Sequence, residues 1–206
     1  MGLRQRQKQE RTDRILESAA AMFREKGFEA TRVDDIAEAA NLSPATFYNY
    51  FHNKGDILLA TLLLEENGVI AAGDRIIKRQ IADVEEALNA LVGAYYDNSL
   101  VYVTKEMWRQ AMAMTIQQSS APFARQYLEI DDRLRIQIAA LLRDLQTRGL
   151  LKADLDTEQV GAIVFNNINM TFIDYVRSDD RSIADVMEFV KRQNATLTKM
   201  IEKTGA

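Results

Sequence analysis

The 206-residue chain contains no cysteine. That excludes disulfides, thiolate metal sites and thiol nucleophiles together, and it suits a reducing compartment. Its one histidine, His52, can complete neither a cysteine–histidine dyad nor a multi-histidine zinc site. Two prolines and nine glycines leave little punctuation, so long helices are expected. No apolar run reaches the roughly eighteen residues that a spanning helix needs; the longest, "DILLATLLL", stops at Glu65. The first residues are basic and glutamine-rich and lack the apolar stretch of a signal peptide. A soluble cytoplasmic protein with no membrane partner is expected. Phosphate-binding and dinucleotide glycine motifs are absent. The pairs Glu65–Glu66, Asp131–Asp132 and Asp179–Asp180 are neighbours whose side chains diverge by about 100° on a helix, so they read as solvated faces rather than as acid–base pairs. No enzyme, metal or cofactor is expected.

Charge is informative through its placement. The chain carries a net −4, all of it in residues 57–206, while residues 1–56 hold nine bases and nine acids. Arg4, Arg6 and Lys8 precede the first acid. If such a chain binds DNA, it does so through a local patch on an acidic body.

Helical periodicity runs nearly throughout. Ile15, Leu16, Ala19 and Phe23 form one apolar stripe over a helix from about Thr12 to Lys26, which Gly27 ends, with Phe28 as the apolar contact after the cap. Thr31 with Asp34 has the spacing of a capping box opening a second helix, whose inner face is Val33, Ile36, Ala37 and Ala40. Ser43 and Pro44 read as N-cap and first residue of a third, and Asn53 with Asp56 opens a fourth that runs to about Arg79. Further helices are expected at roughly 84–101, 103–119, 122–148, 157–177 and 183–203. No strand, repeat or flexible linker is evident.

The third helix lies in "LSPATFYNYFHNKG". Phe47 and Phe51 share one face with Leu42 and belong to a core, while Ala45, Tyr48, Asn49 and His52 fall opposite, with Thr46 and Tyr50 at the edges. Small residues at the start and hydrogen-bonding groups after them suit a helix that enters the major groove by its first turn. Tyr48, Tyr50 and Lys54 are placed to hold phosphates, and Arg32 could do so from the other side of the groove. A helical module that binds protein through Tyr48 and Tyr50 is the competing reading. An enzyme using a buried carboxylate is a remote one. Steep weakening by salt would mark DNA.

The segment "GFEATRVDDIAEAANLSPATFYNYFHNKGDIL" resembles the DNA-binding signature of the TetR/AcrR family of transcriptional regulators. The resemblance rests on Thr31, Ile36, Ala37, Ser43, Thr46, Phe47, Tyr48, Phe51 and Lys54 and covers about residues 9–69. Asn41 stands where the family turn usually has glycine, a place that asparagine tolerates because it can adopt the left-handed conformation. The resemblance implies an all-α fold: a three-helix helix-turn-helix domain at 1–56 joined to a helical effector-binding and dimerisation domain at 57–206. It implies a homodimeric, ligand-responsive repressor of an inverted-repeat operator in double-stranded DNA. Arg32, Ser43, Ala45, Thr46, Tyr48, Asn49, Tyr50, His52 and Lys54 are the candidates to touch that DNA, although Arg32 stands where the family commonly has a small hydroxyl residue and Pro44-Ala45 where it often has a charged residue and glycine.

In the second part, aromatic and methionine residues cluster. Tyr95, Tyr96, Met107, Trp108, Met112, Phe123 and Tyr127, with Phe165 and Phe172 and the interrupting Asn166 and Asn169, are candidates to line a pocket for a small hydrophobic or aromatic effector. Ile183, Met187, Val190, Asn194, Leu197 and Ile201 recur at alternating four- and three-residue spacing, a heptad seam with one polar member. The resemblance, through the family's dimeric four-helix bundle, implies that this seam meets a second copy.

Overall fold

The computed structural model describes residues 2–120 and 122–203, without the side chains of Pro122 and Phe123. Among the described residues there are nine α-helices and no strand: α1 Leu3–Lys26, α2 Val33–Ala39, α3 Pro44–Phe47, α4 Lys54–Lys78, α5 Val84–Asp97, α6 Lys105–Gln117, α7 Pro122–Thr147, α8 Thr157–Arg177 and α9 Ile183–Ile201. The chain divides into two compact units, one of residues 1–65 and 102–125, the other of residues 66–101 and 126–206. The helix α6 thus packs with the first three helices, on the far side of a boundary that the sequence expectation drew at residue 56.

The first unit follows its caps. Ser43 accepts a hydrogen bond from the Thr46 N–H at 3.2 Å, and Asn53 accepts one from the Asp56 N–H at 2.9 Å, so each satisfies an otherwise orphaned donor at a helix start. Asn41 takes φ +56° between α2 and α3, and Gly27 takes φ +83° after α1. Phe28 then meets Phe23 with ring centroids 5.1 Å apart. Ile15, Phe23, Ile36 and Phe47 are fully buried where α1, α2 and α3 meet.

Three local expectations are corrected. The helix α1 starts nine residues early, at Leu3, because glutamine, arginine and lysine favour helix without supplying the apolar period that would reveal it. Thr31 does not cap α2. Its hydroxyl donates instead to the carbonyls of Gly27 and Met22, at 2.8 and 3.3 Å, and the N-cap is Arg32, with no side-chain bond. The third helix is a single α turn continued by tighter i to i+3 bonds, Asn49 N–H to Thr46 O and Tyr50 N–H to Phe47 O.

Glu65 and Glu66 are corrected as well. Both are buried, with Glu65 Oε2 accepting the Tyr102 N–H at 2.6 Å in the first unit. In the second unit, α5 packs on α9 and α8 on α9. The backbone of Ala139 lies 3.1 Å from where a Cβ on Gly161 would sit, which lets α7 and α8 approach closely. Within this unit, burial pushes the Asp131 carboxyl up to about 6, Asp132 adding to the rise and Arg135 opposing it. The sign follows directly. A carboxyl whose folded pKa exceeds its unfolded value binds more protons when folded, so its charge destabilises the fold above pH 6 and the cost vanishes below about pH 4. Asp131→Asn should therefore gain on the parent chain between pH 4 and 7, by about 3 kcal/mol at the upper end. Urea unfolding of both across that range checks it; a pH-independent difference contradicts it.

Candidate nucleic-acid interface

Phe47 is wholly buried and Phe51 nearly so, which fixes the rotation of the third helix and turns its other side outward. Ser43, Ala45, Tyr48 and Asn49 are exposed there, and Thr46 and Tyr50 are half-buried. The Thr46 hydroxyl lies 2.8 Å from Ser43 Oγ, so the two share one hydrogen bond at the helix entry. Tyr48 meets Phe47 edge-on at 5.8 Å, which steadies a phenol ring that is half in solvent. His52 is exposed, and its backbone N–H is held at 3.0 Å by Asp56 Oδ2. Arg32 is exposed and pairs with Asp34 at 3.3 Å, an ion pair weak enough in water to yield to a competing anion.

Lys54 is put to another use than phosphate holding. Its Nζ donates to the carbonyls of Phe28 at 2.6 Å, Glu29 at 3.0 Å and Thr31 at 3.3 Å, and it sits 4.5 Å from the centre of the Phe28 ring. An ammonium has three donors, and all three are committed. The same turn is held from α6, where Glu106 Oε1 accepts the Phe28 N–H at 3.3 Å. Residues 27–31, which lead into α2, are therefore gripped through carbonyls by α4 and through an N–H by α6. Neither contact was readable from spacing, since each joins residues 23 or more positions apart.

Residues 15–61 match the family model described as bacterial regulatory proteins, tetR family. The fatty acid metabolism regulator protein of Bacillus subtilis (strain 168) is 26% identical over 181 residues, covering 85% of this chain and 89% of its own. The solved fatty acid degradation regulator FadR from Bacillus halodurans is 26% identical, covers 90% of this chain and 97% of its own, and superposes with a TM-score of 0.62. A TetR-family regulator from Mesorhizobium loti MAFF303099 shares the fold at TM-score 0.75, with 18% identity over 94% of this chain and 97% of that one. The chain carries a segment of the tetR-family type and is similar over most of its length to regulators of that kind. It is accordingly a DNA-binding transcriptional regulator, and the matched segment takes in the caps, the turn and the exposed face just described. No described helix of the chain is long and apolar enough to cross a membrane.

The effector residues expected from the sequence are distributed as follows. Met107 and Trp108 are buried on α6 in the first unit, with Met112 half-buried. In the second unit the Tyr95 hydroxyl donates to Gln137 Oε1 and the Tyr96 hydroxyl to the Ile168 carbonyl, both at 2.8 Å. Gln137 in turn donates to Asp74 and to the Ile70 carbonyl. A Cβ on Gly73 would collide with the Gln137 amide, so this network is closely packed. Tyr96 stacks on Phe172 at 5.8 Å, and Arg135 lies over the Phe165 ring at 5.1 Å. Burial raises the phenol pKa of Tyr127, and the Asp131 and Glu66 carboxylates raise it further. These acids enter an interior that the sequence suggested would be apolar. Asn166 is corrected: it is exposed on the outer side of α8, beside Ile163 and Met170. Asn169 is half-buried, and the side chain of Phe123 lies outside the described residues.

The α9 seam is also corrected. Val190, Asn194 and Ile201 are buried within the chain, Asn194 Nδ2 donates to Asn89 Oδ1 on α5 at 2.9 Å, and Met187 reaches Gly93 of the same helix. Ile183 and Leu197 are half-buried. A heptad seam faces whatever packs on it, and here that is α5. The apolar residues left outside are Ile163 at 62% exposure and Met170 at 48% on α8, and Phe189 at 37% and Met200 at 65% on α9. Between the two helices Asn167 and Gln193 exchange reciprocal hydrogen bonds at 2.9 and 3.2 Å beside a groove of about 220 Å³.

Proposed function

We propose that this regulator is a homodimeric repressor that binds an inverted-repeat operator and is released by a small hydrophobic effector. The observation that supports the reading best is the outward face of the third helix: Ala45, Thr46, Tyr48 and Asn49 are presented while Phe47 locks their orientation. Ala45 permits close approach, and Thr46 and Asn49 read base edges in the major groove. Ser43, Tyr50, His52 and Arg32 hold the flanking phosphates. Lys54 acts one step back, by setting the turn ahead of α2.

Dimerisation uses the outer faces of α8 and α9, where the exposed Ile163, Met170, Phe189 and Met200 would be covered. A two-fold dimer carries two reading helices and so favours a palindromic site. Fatty-acyl compounds are the first effectors to test, because the relatives at 26% identity are regulators of fatty acid metabolism and degradation. Any such ligand must bind the DNA-free conformation better, since equal affinity for both shifts nothing.

Selection of bound duplexes from a random pool, then salt titration, tests the reading. Enrichment of a palindrome supports it; binding of every duplex alike contradicts it. Asn49→Ala should relax preference at one base position by about 1–3 kcal/mol and leave the salt slope intact. Uniform weakening on operator and random duplex would instead place Asn49 at the backbone.

A further inference from the structure

The first turns of α1 are built against local preference. Arg4 and Arg6 occupy a helix start that has no acidic residue in its first turn and no side-chain cap. Basic groups at that end oppose the helix dipole. Every residue from 2 to 11 is exposed, and Leu3 at 74% contributes nothing to the core. Arg4, Arg6, Lys8, Arg11 and Arg14 stand against only Glu10 and Asp13, and these five bases form no ion pair among the described residues. Several arginines of the acidic second unit, by contrast, are partnered: Arg135 with Asp132, Arg143 with Glu158, Arg148 with Asp144 and Arg177 with Asp174. Places where local stability rules fail are where function is expected.

The spacing gives these charges a direction. Arg4, Lys8 and Arg11 follow at steps of four and three and so share one helix face, and four residues on that face continues as the buried Ile15. The side of α1 that packs on the head therefore turns basic where the head ends. From Arg4 to Ile15 the overhang is about 16 Å. B-DNA carries one phosphate charge per ~1.7 Å of axis, so an overhang of that length passes several. Gln5, Gln7 and Gln9 lie among the basic residues and Leu3 is the one large apolar residue of positions 2–11, so there is no apolar face of the kind a membrane-surface helix needs.

We propose that the first three turns of α1 are a second DNA contact, in which Arg4, Lys8 and Arg11 hold backbone phosphates flanking the half-site. The inference rests on the operator reading above but concerns a different surface. It adds affinity and footprint without adding sequence preference, because phosphates carry none directly.

The test is the triple variant Arg4→Gln, Lys8→Gln and Arg11→Gln, which removes three charges while keeping good helix formers. Binding to a selected duplex and to a scrambled one is measured across a salt series, with circular dichroism and sedimentation confirming an unchanged fold and assembly. The salt slope should fall by about 2.7, so that the variant loses roughly 40-fold less affinity than the parent between 50 and 200 mM salt. The ratio of specific to scrambled binding should stay the same. A variant whose slope equals the parent's overturns the proposal while leaving the operator reading intact. If the parent selects no sequence yet its slope still falls in the variant, the base-reading assignment fails and this one stands. Vesicles of phosphatidylglycerol supply the remaining arm: loss of vesicle binding with an unchanged DNA slope would assign the stripe to a membrane surface and overturn it.

Discussion

Ile163→Asp and Met200→Asp are each expected to give a folded monomer, whereas Val190→Asp and Ile201→Asp are expected to give no stable fold. The difference lies in where the carboxylate lands. Val190 and Ile201 are 0% and 4% exposed inside one chain. An aspartate at either place has no partner and must be desolvated or protonated, at a cost of several kcal/mol. That is comparable with the whole stability of a domain, about 5–15 kcal/mol. Ile163 and Met200 are in solvent in the single chain, so an aspartate there costs the fold little. It costs the dimer a great deal, because two-fold symmetry places each substituted residue in the interface twice. Sedimentation and circular dichroism together read both outcomes. Operator affinity should fall steeply in the monomeric variants, since one reading helix cannot span two half-sites. An Ile163→Asp chain that remains dimeric at micromolar concentration would move the interface off this face, and a stably folded Val190→Asp chain would contradict the internal packing of α9.

This pair of outcomes also shows what the sequence could and could not disclose. Val190, Asn194 and Ile201 announce a seam through their spacing, and a seam is what they form. Spacing carries no information on whether the opposing helix is α5 of the same chain or α9 of another, because the packing rules are the same for both. The caps were legible for a better reason. Ser43, Asn53 and Gly27 act on backbone within a few residues of themselves, so a local reading suffices. Thr31 with Asp34 had a local capping signature too, but its hydroxyl found the Gly27 and Met22 carbonyls within reach and bonded to those. Burial of Glu65 was illegible because its partner is a backbone N–H 37 residues away. The outward face of the third helix was readable from one wheel, since Phe47 and Phe51 could only go inside; what lies behind that face required coordinates.

Lys54→Met is expected to lower the melting temperature substantially while leaving the salt slope of operator binding unchanged. A phosphate-holding lysine would do the opposite, reducing the slope by about 0.9 with little effect on melting. The reason is the ammonium's three carbonyl partners, Phe28, Glu29 and Thr31. Methionine keeps the aliphatic contact with the Phe28 ring but supplies no donor, so three carbonyls must find water or go without. Hydrogen bonds to a charged group are worth about 1.5–3 kcal/mol each, and partial exposure of these discounts the sum to about 2–3 kcal/mol in all. In a chain of this length that corresponds to roughly 5–10 °C. Operator affinity should fall as well, but uniformly across salt, because residues 27–31 position Arg32 and the start of α2. Glu106 supplies the internal control. It holds the same turn from α6 through the Phe28 N–H, and Glu106→Gln retains an acceptor where Glu106→Ala does not. Only the alanine variant should repeat a part of the Lys54→Met loss, by about 1 kcal/mol. The emission of Trp108, two residues further along α6, reports whether the helix has shifted in either variant. A Lys54→Met protein with parental melting and a shallower salt slope would return Lys54 to the phosphate backbone.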